Sequence, residues 1–195
     1  RYLRMSRGLG DVYKRQKQYS ADYLTTRSVT EYIFEAREII SREEKAMAVY
    51  WDDHTRKPLS ETLNSVLITE HASKLESEFI VLLDSRENEK ISAVYLLMQR
   101  DFTLLPELAN SYEEYIKKCG ESEVSHLISV HKASIANGSE DQTSNKKPGN
   151  LLNTLPPKEY VKTLLDVYRT FRNMTNECFQ NDPLFAKALD NACRS

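Results

Sequence analysis

Near the middle of the chain, Cys119, Glu123, His126 and His131 are the residues whose types and spacing could do chemistry. A glutamate three residues before a histidine on a helix is half of a carboxylate-bridged metal site of the kind built inside helical bundles. The other half would be a second Glu-x-x-His with two further inward glutamates, and no other histidine in the chain has a glutamate three positions before it. His131, five positions after His126, is turned away from the same helical face. Cys119 with either histidine would make a nucleophile and a base. A catalytic thiol, however, needs a partner within hydrogen-bond reach and a cationic or helix-N-terminal setting to lower its pKa. In the interior or last turn of a helix the dipole acts in the opposite sense. The sequence has no glycine-rich phosphate loop, no paired His/Cys ligand set and no nucleophile elbow. No catalytic, cofactor-binding or metal-binding residue is therefore expected, and the chain reads as a non-enzyme without a cofactor.

Composition narrows the partners. Of 195 residues, 40% are hydrophobic and 29% charged, ordinary values for a globular protein able to bury a core. The 27 basic and 29 acidic side chains leave a net charge of -2, which supplies no global field for nucleic acid or an anionic membrane. No apolar run approaches the roughly 20 residues a membrane helix needs, and no secretory signal opens the sequence. The expected setting is inside the cell. Cys119, Cys178 and Cys193 lack metal-ligand spacing and argue against a disulfide framework. Asn137-Gly138-Ser139 and Asn173-Met174-Thr175 match glycan acceptor patterns, which the absent signal makes accidental.

The elements that must position these residues are helices, since only five glycines and six prolines interrupt the chain. Residues 1–18 carry six basic side chains and no apolar period, and are expected to be a disordered or non-native end. Ser28 and Glu31 have capping-box spacing and predict a helix start. Its inner stripe is Tyr32, Ile33, Ala36, Ile39, Ile40, Met47 and Tyr50, and it breaks between Trp51 and the approach to Pro58. From Pro58 the apolar spacing through Leu59, Leu63, Val66, Leu67, Leu75, Phe79, Leu82 and Leu83 predicts one long helix. A polar break over Asp84–Glu89 precedes Ile91, Val94, Tyr95 and Met98. A further helix is expected from near Thr103 on Leu104, Leu105, Leu108, Tyr112, Tyr115 and Ile116, continuing through Gly120, because an interior glycine costs only about 1 kcal/mol. Residues 136–158, ending in Pro156-Pro157, are expected to form a loop.

A further periodic stretch fills the last 37 residues, 159–195. Val161, Leu164, Leu165, Tyr168, Phe171, Met174, Cys178 and Phe179 share one stripe, expected to face a core. Asn181 is placed to take a left-handed C-terminal position, Asp182 to cap a new helix and Pro183 to open it. Leu184, Phe185, Ala188, Leu189 and Ala192 continue as a second amphipathic helix.

This long helix, the Cys178-Phe179-Gln180-Asn181-Asp182 corner and the helix after it resemble the helical-repeat region of cullins. Ser28-Val29-Thr30-Glu31-Tyr32, the helix end at Tyr50 and the run from Leu82-Leu83-Asp84 to Tyr95 extend the likeness over most of residues 19–195, closest to the branch using Skp-type adaptors and F-box proteins. The resemblance implies an all-α fragment of an elongated, solenoid-like stalk of stacked bundles. It divides the chain into most of one cullin repeat over 19–118, a linking helix over 119–135, the loop, and the start of the following repeat over 159–195. It also implies a non-catalytic scaffold segment of a cullin-RING ubiquitin ligase, a rigid spacer between the substrate-receptor module and the RING module that recruits the ubiquitin-charged enzyme. In the full-length protein the adaptor and substrate receptor would bind before these residues and the RING partner after them, with nucleic acid and membrane not involved, in the cytoplasm and nucleus. The alternative reading is a helical rod of a membrane-trafficking tethering complex, whose architecture is similar.

Overall fold

The computed structural model describes residue 14 and residues 28–50, 52–137 and 157–194. Among them it contains α-helices and one 3-10 turn but no strand. In chain order the helices are α1 (Val29–Tyr50), α2 (Asp53–Leu67), α3 (Ala72–Ser85), α4 (Asn88–Met98), α5 (Leu105–Asn137), α6 (Pro157–Cys178) and α7 (Pro183–Arg194), with the 3-10 turn Thr69–His71 between α2 and α3. The chain divides into two compact units, Arg1–Ser111 and Tyr112–Ser195, and the bounds of α5 span the division.

In the first unit α1 packs on α2, α3 and α4, and α3 lies against α4. The Glu31 amide donates to the Ser28 hydroxyl at 3.2 Å, the N-terminal cap the spacing predicts. Tyr32, Ile33, Ala36, Ile39, Ile40 and Met47 are all buried, so the 3.6-residue period of α1 identified its inner face.

The long helix expected from Pro58 is instead two helices and a corner, and the first already begins at Asp53. Pro58 sits inside α2, where it lacks the amide that would bond to His54. The break after Leu67 has a tertiary cause. In a continuous helix the His71 amide would donate to the Leu67 carbonyl; here it donates to Ile68 at 3.0 Å, and the Tyr32 hydroxyl takes the Leu67 carbonyl at 2.8 Å. The Thr69 hydroxyl also donates to Asp101 at 2.8 Å, fastening the 3-10 turn to the turn after α4. The corner lets consecutive Leu67 and Ile68 both be buried completely, which one straight helix face does not readily allow.

The other breaks are tighter than the polar pattern suggested. Helix α3 ends at Ser85 on Arg86, which is left-handed at φ 56°; the Arg86 amide bonds to Leu83 and the Glu87 amide to Leu82, a Schellman arrangement without glycine. Helix α4 starts at Asn88, inside the expected break. Helix α5 starts at Leu105 behind a turn held by Asp101, which accepts from the Thr103 amide at 3.1 Å and its hydroxyl at 2.6 Å. It runs 33 residues through Gly120, where an added Cβ would meet nothing within 4 Å. Residues 136, 137, 157 and 158, expected in the loop, are helical; residues 138–156 lie outside the described residues, as do the expectations for 1–18 apart from residue 14.

Candidate functional site

The second unit is built around one joint, where the start of its share of α5 meets the end of α6 and the beginning of α7. Tyr112 on α5 is fully buried, its ring 5.0 Å from Phe179 and 5.7 Å from Phe185, with Phe171 edge-on at 6.1 Å. Phe179 and Phe185 stack at 4.0 Å, and Tyr115 meets Phe171 at 6.0 Å from the next turn of α5. These edge-to-face and stacked pairs each add about 0.5–1.5 kcal/mol beyond area burial.

The sharp corner after α6 makes the stacked pair possible. Gln180 and Asn181 are both left-handed, with φ of 52° and 59°, and the Asp182 amide returns to the Phe179 carbonyl at 2.8 Å. Asp182 then accepts the Leu184 amide at 2.8 Å, and Pro183 opens α7 where no amide is needed. The sequence pattern identified Asn181, Asp182 and Pro183 in these roles but not the left-handed Gln180.

One buried polar cluster sits inside the joint. The Thr175 hydroxyl donates to the Phe171 carbonyl one turn back at 2.8 Å, so the Tyr112 hydroxyl, 3.2 Å from both oxygens, donates into that pair. Thr175 is the buried polar residue among the described ones, and nothing in its spacing set it apart from a solvent-facing threonine. The partner of a buried tyrosine hydroxyl is a tertiary fact that helical periodicity does not carry. Burial pushes the Tyr112 hydroxyl well above the usual tyrosine range, with the Thr175 bond acting in the opposite direction. Burial, reinforced by Glu177, pushes the Cys178 thiol up to about 11. Cys193 is raised likewise by burial and by Asp190. The joint is therefore neutral at ordinary pH, and its thiols are poor nucleophiles. At its rim Glu113 accepts from Lys117 at 2.7 Å and from Asn191 at 3.1 Å, which hold its carboxyl below the usual range and tie α5 to α7.

The residues singled out for chemistry all lie on α5. Glu123 and His126 are exposed, while Cys119 and His131 are half-buried. No group of three or more His, Cys, Asp and Glu able to hold a metal ion occurs among the described residues. No described helix is long and apolar enough to cross a membrane. The expected inner stripe of α6 needs correction in its first half: Val161, Leu164 and Leu165 are exposed, whereas Phe171, Met174, Cys178 and Phe179 are buried. The physical reason is reach. Within the second unit α7 lies against α6, and the joint that buries apolar side chains begins at Phe171; the helical period alone gives direction, not what stands opposite. Leu184, at 40% exposure, likewise points away from the inner face of α7, which is formed by Phe185, Ala188 and Leu189.

The amino-acid sequence matches the family model for the cullin alpha solenoid domain over residues 9–195. It is 55% identical over 178 residues to cell division control protein 53 of Saccharomyces cerevisiae, covering 90% of this chain and 22% of that protein. Over 175 residues it is 31% identical to Cullin-1 of Schizosaccharomyces pombe, and over 179 residues 27% identical to Cullin-1 of Caenorhabditis elegans, in each case spanning 20% of the relative. The chain thus covers about a fifth of the length of the curated relatives it matches. With an all-helical fold, a corner built at the residues that carry the likeness and a family match over nearly its whole length, the chain belongs to the cullin family.

Proposed function

We propose that this chain is a non-catalytic scaffold segment of a cullin-RING ubiquitin ligase, a spacer that holds the substrate-receptor module and the RING module at a fixed distance. The observation that carries the reading is α5, one unbroken 33-residue helix anchored by the buried Tyr112 joint. Ubiquitin transfer depends on bringing two bound partners together, so a stiff spacer acts through effective concentration and orientation rather than through bond-making groups. On this reading residues 19–118 are most of one cullin repeat, 119–135 a linking helix and 159–195 the start of the next. The adaptor and the RING partner bind the full-length protein outside this stretch, and the assembly works in the cytoplasm and nucleus. Nothing in the fold or in the relatives supports the tethering-complex alternative.

The test is made in the full-length protein. Replacing residues 119–135 by a flexible Gly/Ser segment of the same length should leave adaptor and RING binding unchanged while slowing transfer to a bound substrate by about tenfold or more, the scale on which misplaced partners lose effective concentration. Unchanged transfer would overturn the spacer role. In a second arm the 195-residue chain should not retain a Skp-type adaptor; retention at about 1 μM, or about -8 kcal/mol, would mean that the adaptor site lies within it.

A further inference from the structure

Between α1 and the end of α4 the first unit carries an open cleft of about 510 Å³. Ile40, the half-buried Leu96 and Phe102 line it together with Arg37, Ser41, Glu44, Gln99 and Arg100, so apolar and charged side chains share the cleft. Phe102 is 78% exposed, the most exposed of the large hydrophobic side chains described, yet the turn bearing it is fixed on both sides by Asp101 through Thr69 and Thr103. A large aromatic held out to water on a fixed turn is a typical anchor for a partner.

The charges around the cleft do not cancel. Arg100 pairs with Glu44 and also donates to Asn64 at 3.2 Å, and burial lowers the guanidinium's pKa from its ordinary value, a sign that its charge is poorly solvated. Glu44 is thereby engaged, and it also accepts from Ser60 at 3.4 Å. Arg37 makes no ion pair or side-chain hydrogen bond among the described residues, which leaves one uncompensated positive charge in the lining that also holds Phe102. An occupant that satisfies both features presents a carboxylate to Arg37 and Ser41 and an apolar side chain to Phe102 and Leu96.

We propose that this cleft is a docking site for a short acidic segment of a partner protein, one with an aromatic or branched apolar residue among its carboxylates. The site is separate from the Tyr112 joint and does not depend on the spacer reading. Binding is expected in the range of about 10–100 μM, that of a small transient contact.

The probe is a fluorescein-labelled peptide, Gly-Asp-Glu-Asp-Phe-Asp-Glu-Leu-Asp-Gly, titrated with the 195-residue chain and followed by anisotropy. Saturable binding is expected, weakened about tenfold by Arg37→Glu and about fivefold by Phe102→Ala. Neither side chain makes a hydrogen bond, ion pair or ring contact among the described residues, so circular dichroism melts should stay close to the parent and separate lost docking from lost folding. Replacing Phe and Leu of the peptide with Ala should weaken it to the same degree as Phe102→Ala. No saturation by about 1 mM, or binding indifferent to both substitutions, would overturn the site. Equal competition by a single-stranded uridine oligonucleotide would replace a peptide by nucleic acid as its occupant and also overturn the proposal.

Discussion

Tyr32 and Tyr112 are each fully buried, one in either unit, and each gives its hydroxyl hydrogen to main-chain or side-chain oxygen on another helix, but the two answer different needs. Tyr32 supplies the Leu67 carbonyl with a partner where α2 has broken and the helix no longer provides one. Tyr112 adds a bond to a carbonyl inside α6 that the Thr175 hydroxyl already serves. Around them the first unit is lined mainly by aliphatic side chains with polar fastenings at its corners, and the second by Phe171, Phe179 and Phe185 packed ring on ring. Polar bonds shape the first unit, whereas in the second the shape comes from aromatic packing and the polar cluster is secondary.

The sharpest way to break that contrast is to remove a ring from the joint. Phe171→Ala should cost about 3–5 kcal/mol, because Phe171 is 5% exposed and touches both Tyr112 and Tyr115. Leu165→Ala, on the exposed half of the same helix, should stay within about 0.5 kcal/mol. Urea unfolding followed by circular dichroism measures both. Equal effects would mean that the joint is not the centre of the second unit.

The units should also fail at opposite ends of the pH scale. Burial raises the Tyr112 and Cys178 pKa values, so both groups stabilise the neutral folded state and that stability is lost as pH rises. For Cys178 the loss begins near its ordinary value of 9.0 and is complete above about 11, amounting to on the order of 2 kcal/mol before allowance for relaxation. His71 behaves in the opposite sense. Burial, then Lys74, lowers its pKa, with Glu70 opposing, so its contribution is intact above 6.5 and declines as pH falls through and below that value. Its ring stands edge-on to Tyr32 at 5.7 Å with Nε2 buried and unpaired, where a proton would find no acceptor. Cys178→Ala should make the alkaline limb of the stability profile shallower between 9.0 and about 11, leaving the Tyr112 part in place, and His71→Phe should do the same on the acid limb, each leaving the other limb unchanged.

The hydroxyls themselves give a finer comparison. Tyr32→Phe should cost about 1–3 kcal/mol, since the Leu67 carbonyl loses its side-chain partner in a buried corner. Tyr112→Phe should cost only about 0.5–1.5 kcal/mol, because Thr175 continues to serve Phe171. A reversal of that order would show that Tyr112 fixes the α6 backbone as Tyr32 fixes the corner after α2.

What the amino-acid sequence disclosed follows the same division. Stripes such as Tyr32, Ile33, Ala36, Ile39 and Ile40 are local and periodic, and they identified inner faces correctly. Asp182 and Pro183 act on the backbone immediately beside them, so their roles were legible too. The corner at Leu67–Thr69 was not, because its cause is a hydroxyl 35 residues away. The exposure of Val161 and Leu164 was hidden for the same reason, since a stripe shows which way a side chain points but not whether anything meets it. Tyr112 was visible as a core residue, but its bond into the Phe171–Thr175 pair was not.

The smallest effect concerns the element whose bounds span both units. Gly120 lies inside α5 with no positive φ, and a methyl group there would meet nothing within 4 Å. Its only consequence in the folded helix is extra backbone entropy lost on folding, so Gly120→Ala should raise stability by about 0.4–1 kcal/mol without altering any contact. The gain would come from the unfolded chain and should be seen as a higher urea midpoint at unchanged slope. Amide exchange at residues 117–124 should slow in parallel if the glycine is a weak point of a continuous helix. A loss of stability instead would mean that the backbone at Gly120 adopts a conformation alanine does not favour, and α5 would then have to be treated as two helices meeting there.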